Sequence, residues 1–220
     1  MTRYVVRCDD WITCGSGHDT CSHLIRSARK KRRIRRRIRH LPPRSVLLTE
    51  DETGLLLFPP LRANWGQRGQ ATRVLISGRN ARRVVFGAMN LQTGKRLFLA
   101  RRHQRQEDFQ DFLRLIHQHY RGWHLVLLLD ENSSHTAGRS QQLASELQIE
   151  MLWLPKRAPE LNPMDQSWGQ AKDLVSANLQ YPTIDDHLAT FIEYLECLTD
   201  WEARYTAGVL SKDFWLKSVL

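Results

Sequence analysis

Five consecutive apolar residues, Leu125–Leu129 in HLVLLL, run straight into Asp130. A run of that length without polar alternation predicts a central strand buried on both faces. Similar runs occur in SVLLTEDE from Ser45 and IEMLWLP from Ile149, and both read as strands, the second again a buried one. RRVVFGAMNLQTGKRLFLARR holds two more around Gln92-Thr93-Gly94, the pattern of a hairpin. Elsewhere the period changes. Phe109, Phe112, Leu113 and Ile116 recur at helical spacing, with Gly122 as the stop. GRSQQLASELQ is helical too, and a further helix is predicted from Pro163. GLLLFPPLRANWGQRGQ, after the first strand, is a turn-rich excursion. The order strand, hairpin, helix, strand, helix, strand, helix predicts an α/β layer fold, with a mixed sheet covered by helices. Residues 195–220 are predicted to add a helix, with Trp201, Phe214 and Trp215 packed on the core.

Ahead of this pattern stands a different kind of segment. Nine of the eleven residues Arg29–Arg39 are basic: Arg29, Lys30, Lys31, Arg32, Arg33, Arg35, Arg36, Arg37 and Arg39. Leu24, Ala28, Ile34, Ile38 and Leu41 fall close to a helical stripe among them, and Pro42-Pro43 ends it. The reading is a basic amphipathic helix that meets phosphates, with the stripe free to pack on the domain as well. Cys8, Cys14, His18, Cys21 and His23 are of zinc-binding type, but their spacing is not that of a finger, and an irregular tail is expected there. Residues 1–43 are therefore read as a tail and basic helix, and residues 44–220 as the domain proper.

Charge sharpens this division. The net charge is +10. Residues 1–106 hold 24 Lys and Arg against 6 Asp and Glu, and residues 107–220 hold 9 against 17. Such a lopsided chain is expected to meet a polyanion, nucleic acid above all, with its basic surface. No apolar run is long enough to span a bilayer, so no membrane partner is expected. Four cysteines in 220 residues make no secreted disulfide framework, which suggests a reducing, cytosolic setting.

The acids of the domain stand at element ends. Asp51 is expected to end the first strand, Asp130 ends LVLLLD, and Asp165 opens the helix after the last strand. The stretch LPKRAPELNPMDQSWGQAK leads to Asp165 through prolines that fix their own φ and donate no hydrogen bond, so it reads as a rigid loop. Strand ends and helix starts are where sites gather in open α/β sheets. Three carboxylates there would repel one another unless a cation sat among them. Hard oxygen ligands suit Mg²⁺, with Mn²⁺ as the alternative, and paired ions of this kind clamp the two oxygens of a phosphodiester displacement. No nucleophile elbow, Cys–His pair, phosphate loop or dinucleotide fingerprint competes with that chemistry.

On these motifs the chain resembles the DDE-superfamily transposases of bacterial insertion sequences, in the mariner-like branch. The matching residues are TEDETGLLLFPPLRANWGQRGQ, LLLDENSSH and LPKRAPELNPMDQSWGQAK, with 34 residues between Asp130 and Asp165. The resemblance implies a ribonuclease-H-like fold, a mixed five-stranded sheet with helices on both faces. It also implies Mg²⁺ dependence, cleavage and strand transfer at DNA element ends and target DNA, a homodimer on DNA, and a bacterial cytoplasm with nucleoid association. Asp51, Asp130 and Asp165 match the three catalytic, metal-binding acids. Glu52 competes with Asp51, but strand alternation lets only one of them face the site. Glu131 stands where the family often has Asn. His135 matches the family's His after the second acid, with a helix-entry role as the alternative to catalysis. Asn162, Trp168 and Lys172 are expected to orient the loop, to pack, and to touch DNA.

The family's helix-turn-helix recognition region has no counterpart in residues 1–43, so a second reading is an inactive or truncated transposase remnant that only binds DNA. A third is a ribonuclease or junction nuclease on the same fold.

Overall fold

The computed structural model describes residues 18–63, 65 and 73–220, with the side chains of the first helix from Ile25 onward. The candidate zinc ligands at positions 8–23 lie outside the described side chains. Helix α1 (His18–Arg39) ends just before Pro42-Pro43, as the proline pair requires. Then follow β1 (Ser45–Leu56), the hairpin β2 (Arg82–Asn90) and β3 (Arg96–Arg101), α2 (Gln106–His119), β4 (His124–Leu129), a single turn α3 (Ser133–Thr136), α4 (Gly138–Glu146) and β5 (Ile149–Trp153). A 3₁₀ turn at Pro159–Leu161 leads to α5 (Pro163–Ala171) and a π-helical turn at Lys172–Ser176, before α6 (Ile184–Cys197) and α7 (Asp200–Thr206).

The five strands form one mixed sheet in the order β3-β2-β1-β4-β5, antiparallel through the hairpin and parallel from β1 to β5. Helices cover both faces. On the front, Leu47, Val126 and Leu128 pack against Met164, Trp168, Phe191 and Leu195 of α5 and α6. On the rear, Val46, Leu48, Phe86, Leu125 and Leu127 pack against Phe109, Phe112, Leu113 and Ile116 of α2. The apolar run of β4 is explained by this burial on both sides.

Helix α1 belongs to the front core through Ile34 and Ile38, while Arg29, Arg32, Arg33, Arg36 and Arg39 are exposed. Its geometry therefore carries both the apolar stripe that packs on the domain and the basic row that faces outward.

Three local expectations change. β1 does not end at Asp51 but continues to Leu56, because β2 keeps pairing it after β4 has run out: Asp51 pairs Gly87 and Leu56 pairs Arg82. β5 is an edge strand and only partly covered, since its one strand neighbour is β4. In the C-terminal segment Phe214 and Trp215 do pack on the core, and Trp215 Nε1 donates to the Leu161 carbonyl at 2.9 Å. Trp201, however, is 57% exposed and stacks on the exposed Tyr205 of its own short helix, a local pairing at helical spacing that needs no core.

Gly87 sits opposite Asp51 on the front face of β2, and a Cβ there would come within 2.5 Å of the Trp168 ring and 2.8 Å of Met164 Cε. The missing side chain is what lets α5 lie close on the sheet. Gly87→Ala should therefore lift Trp168 and lose about 1–3 kcal/mol, the usual range for overpacking a filled core. Chemical denaturation checks it, and an unchanged midpoint would mean that the indole has room to move.

Candidate active site

The parallel register builds the site. Thr49 is the last β1 residue paired with β4, opposite Leu128. Two residues further along both strands come Asp51 and Asp130, at the same level and on the front face. Leu129 in turn pairs Trp153 of β5, and the chain then leaves the sheet as the proline loop. Leu154, Pro155, Lys156, Arg157, Ala158 and Pro159 of that loop form one wall of a cavity of about 340 Å³. The rest of its lining is Asp51, Asp130, Glu131, Asn162 and Asp165. The three acids singled out from sequence thus line one cavity.

Asp165 reaches it through Asn162. The Asn162 side chain caps α5 by accepting from the Met164 amide at 3.1 Å. The same oxygen accepts from Thr49 Oγ1 at 2.6 Å, and Asn162 Nδ2 donates to the Glu50 carbonyl at 2.8 Å. One buried amide therefore ties the loop, the helix start and β1 together, the orienting role expected of it. Trp168 is buried between Phe98 and Phe191, as expected.

The electrostatics are those of an anionic cluster. Burial first, and then the charges of Glu52, Asp130 and Asp165, together push the Asp51 carboxyl up to about 8. Asp130 is held below the usual carboxylate range, chiefly by its hydrogen bond with His135. Lys172, half-buried, lies beside this cavity and lines a neighbouring one with Gly54, Leu55 and His187. Burial lowers its pKa, against the pull of Asp165 and Asp51.

Glu52 does not compete with Asp51. Together with Glu50 it points to the rear of the sheet, as strand alternation demands, where both meet His135. Burial disfavours charge on that imidazole, but Glu50, Asp130 and Glu52 outweigh it and push its pKa up to about 11. Glu50 is also raised well above the usual carboxylate range, by burial first and by Glu52 second. Glu50 is not among the acids that the sequence singles out. Its signal was an acid two positions before Glu52 in a strand whose other rear positions, Val46 and Leu48, are apolar.

The basic residues are divided. Lys30 pairs with Glu131, which also meets Lys156 at 3.3 Å, so Glu131 sits at the rim of the cavity between two cations. Arg37 grips Glu150 with two bonds of 2.6 and 2.7 Å, and Arg35 donates to the Trp215 carbonyl at 2.7 Å. These three hold α1 on the domain. Lys31 is half-buried, which leaves Arg29, Arg32, Arg33, Arg36 and Arg39 as the outward row. Among the described residues, no helix is long and apolar enough to cross a membrane.

Known proteins share this architecture. Mos1 transposase in a paired-end complex with the left transposon end superposes with a TM-score of 0.68 at 16% identity, covering 100% of this chain and 67% of that one. The catalytic domain of Mos1 mariner transposase gives 0.62 at 14% identity, covering 95% and 98%. The Mos1 paired-end complex with Mg gives 0.70 at 15% identity, covering 99% and 66%. The sheet and its helices are thus ribonuclease-H-like. In sequence, the insertion element IS630 uncharacterized 39 kDa protein of Shigella sonnei is 24% identical over 152 residues, 68% of this chain. That match spans 44% of the relative's length. The family model described as DDE superfamily endonuclease matches residues 46–187, which include all three cavity acids, and the chain belongs to that family.

Proposed function

We propose that the chain is the catalytic part of a transposase that cuts and joins DNA at the ends of an insertion element, with Asp51, Asp130 and Asp165 as its catalytic acids. The observation that carries this reading is the convergence of the three carboxylates on one cavity where the parallel strands end. The donor set fits a hard divalent cation: carboxylate oxygens from three elements, in surroundings that already push Asp51 toward neutrality. Mg²⁺ or Mn²⁺ held there would supply activation of a water or a DNA 3′-hydroxyl and stabilisation of the leaving oxygen.

The chain's own residues do the rest. Asn162 holds the helix that presents Asp165, and the Asn132 amide, at 3.0 Å, and His135 hold one oxygen of Asp130. Lys156 and Arg157 give the cavity wall a positive side toward phosphates, and Lys172 partly offsets Asp165 and Asp51 from beside it. The outward arginines of α1 form a row suited to a DNA backbone. On this reading residues 1–43 serve chiefly to grip DNA and residues 44–220 to cut it. A homodimer on DNA and association with a bacterial nucleoid belong to the same proposal.

Labelled duplex DNA incubated with Mg²⁺, Mn²⁺ or Ca²⁺ tests it. Asp51→Asn, Asp130→Asn and Asp165→Asn should each abolish Mg²⁺-dependent strand cleavage and leave DNA binding intact or slightly stronger. Asp165→Glu should keep some activity. Cleavage retained in Asp165→Asn would remove that residue from the triad.

Stability should show the like-charge cluster directly. The folded pKa of Asp51 is raised from 3.8 to about 8, so the folded state binds more protons than the unfolded one across that window. Wild-type stability should then fall as pH rises through it. In metal-free buffer above pH 8, Asp51→Asn should melt at a higher temperature than wild type, and Mg²⁺ should raise the wild-type Tm more than the variant's. Thermal scans in chelated buffer decide this, and a variant that melts lower would contradict the cluster's strain.

For α1, replacing Arg29, Arg32, Arg33, Arg36 and Arg39 with Gln should flatten the salt dependence of DNA binding by about 0.9 in log–log slope for each phosphate that the helix no longer neutralises. Arg37→Gln should instead lower stability, because it leaves Glu150 without its bidentate partner. An unchanged slope in the five-residue variant would place the DNA elsewhere.

A further inference from the structure

We propose that His135 is the positioning residue for Asp130, held from behind by Glu52 and Glu50 so that one oxygen of the second acid is locked and the other is presented to the cavity. The inference rests on the reading of Asp51, Asp130 and Asp165 as the metal-holding acids.

The geometry is a strut through the sheet. His135 is fully buried, and its ring lies 4.3 Å from the Phe109 ring of α2. Its Nδ1 is 3.1 Å from Asp130 Oδ1 and 3.2 Å from the Asp130 carbonyl. Its Nε2, at the far end of the ring, is 2.8 Å from Glu52 Oε1 and 3.6 Å from Glu50 Oε2. The ring therefore spans from the rear of β1 to the acid at the end of β4. The turn that delivers it is itself fixed, since Asn132 caps α3 by accepting from the Ser134 amide at 3.2 Å.

Asp130 needs such a hold. Its side chain is 55% exposed, so packing does not set its rotamer. Oδ1 is bonded by His135 and by the Asn132 amide, whereas among the described residues no hydrogen bond is made to Oδ2. A carboxylate pinned by one oxygen presents the other in one direction, which is what a ligand must do to hold an ion within about 0.5 Å of its working place. Outer partners of metal ligands act in this way, and losing one weakens metal affinity or activity about 10–100-fold. A pair of acids at the rear is otherwise hard to explain. Neither oxygen of Glu50 has a hydrogen-bond partner, although the residue is fully buried, and burying it unpaired is costly unless it serves to hold the histidine.

The test uses the full chain and two readouts, Mn²⁺ affinity by electron paramagnetic resonance and the Mg²⁺ concentration that half-saturates cleavage. His135→Ala should weaken both about 10–100-fold, with DNA affinity at fixed salt unchanged. Glu52→Ala should follow it, and it serves as the second variant if His135→Ala does not fold. Glu52→Gln keeps an acceptor for Nε2 and should restore affinity to within about threefold of wild type, a rescue that mere loss of packing would not show. Wild-type metal affinity in both alanine variants would overturn the positioning role while leaving the triad intact. No Mn²⁺ binding by the wild-type chain would overturn the triad reading itself, and this inference with it. Mn²⁺ retained when all three Asp are Asn, and lost in Glu50→Gln, would make the rear cluster a cation site in its own right and would also overturn the strut.

Discussion

The pairing of Thr49 with Leu128 is the contact on which the site depends. In a parallel pair the register decides which residues stand level, and alternation decides which face each one meets. That one register brings Asp51 beside Asp130 on the front and sends Glu50 and Glu52 to the rear, where His135 waits. A slip of a single residue would exchange the two sets, putting glutamates in the cavity and burying Asp51 against α2. The apolar residues guard against it: Val46 and Leu48 have the rear core to fill, and Leu47 has the front. The hydrophobic pattern of the strand thus aims its three acids at once.

Gathering acids opposes folding, and the fold meets that penalty in two different ways. At the rear, His135 stands between Glu52 and Asp130, and Phe109 closes over its ring. At the front, among the described residues, no such internal cation sits centrally; Lys172 lies to one side and Glu131 is tied to Lys30 and Lys156 at the rim. Asp51 consequently remains poised well above its ordinary pKa. A site left short of positive charge favours a cation from solution, and such uneven compensation is common where function and stability pull apart.

Rigid supports surround this unstable centre. The proline loop and Asn162 fix the start of α5, and Gly87 lets Trp168 seat that helix closely on the sheet. Arg157 takes a left-handed backbone at φ 55, an unfavoured conformation for a residue with a side chain, within the same loop. Helix α1 is held by Ile34, Ile38, Arg35 and Arg37, so its outward arginines have a fixed spacing relative to the cavity.

The layer order, the buried central strand, the hairpin, the helix of Phe109 and Ile116, and the three acids were all legible in the chain, because periodicity and element ends are local properties. The same holds for the double nature of α1, whose isoleucine stripe and arginine row are both written at helical spacing. What lies beyond local reading is pairing. The length of β1 past Asp51 depends on β2, the half-covered state of β5 depends on its place at the sheet edge, and Trp201 found Tyr205 in place of the core. Likewise, Lys30, Arg35 and Arg37 look like their neighbours in sequence, and only their contacts with Glu131, Trp215 and Glu150 set them apart. The sequence by itself determined which residues carry charge and which face of each element is apolar. The tertiary structure decided which charges meet, because the partners of Asp51, Asp130 and His135 lie on other strands and helices, and only parallel register and packing bring them within bonding distance.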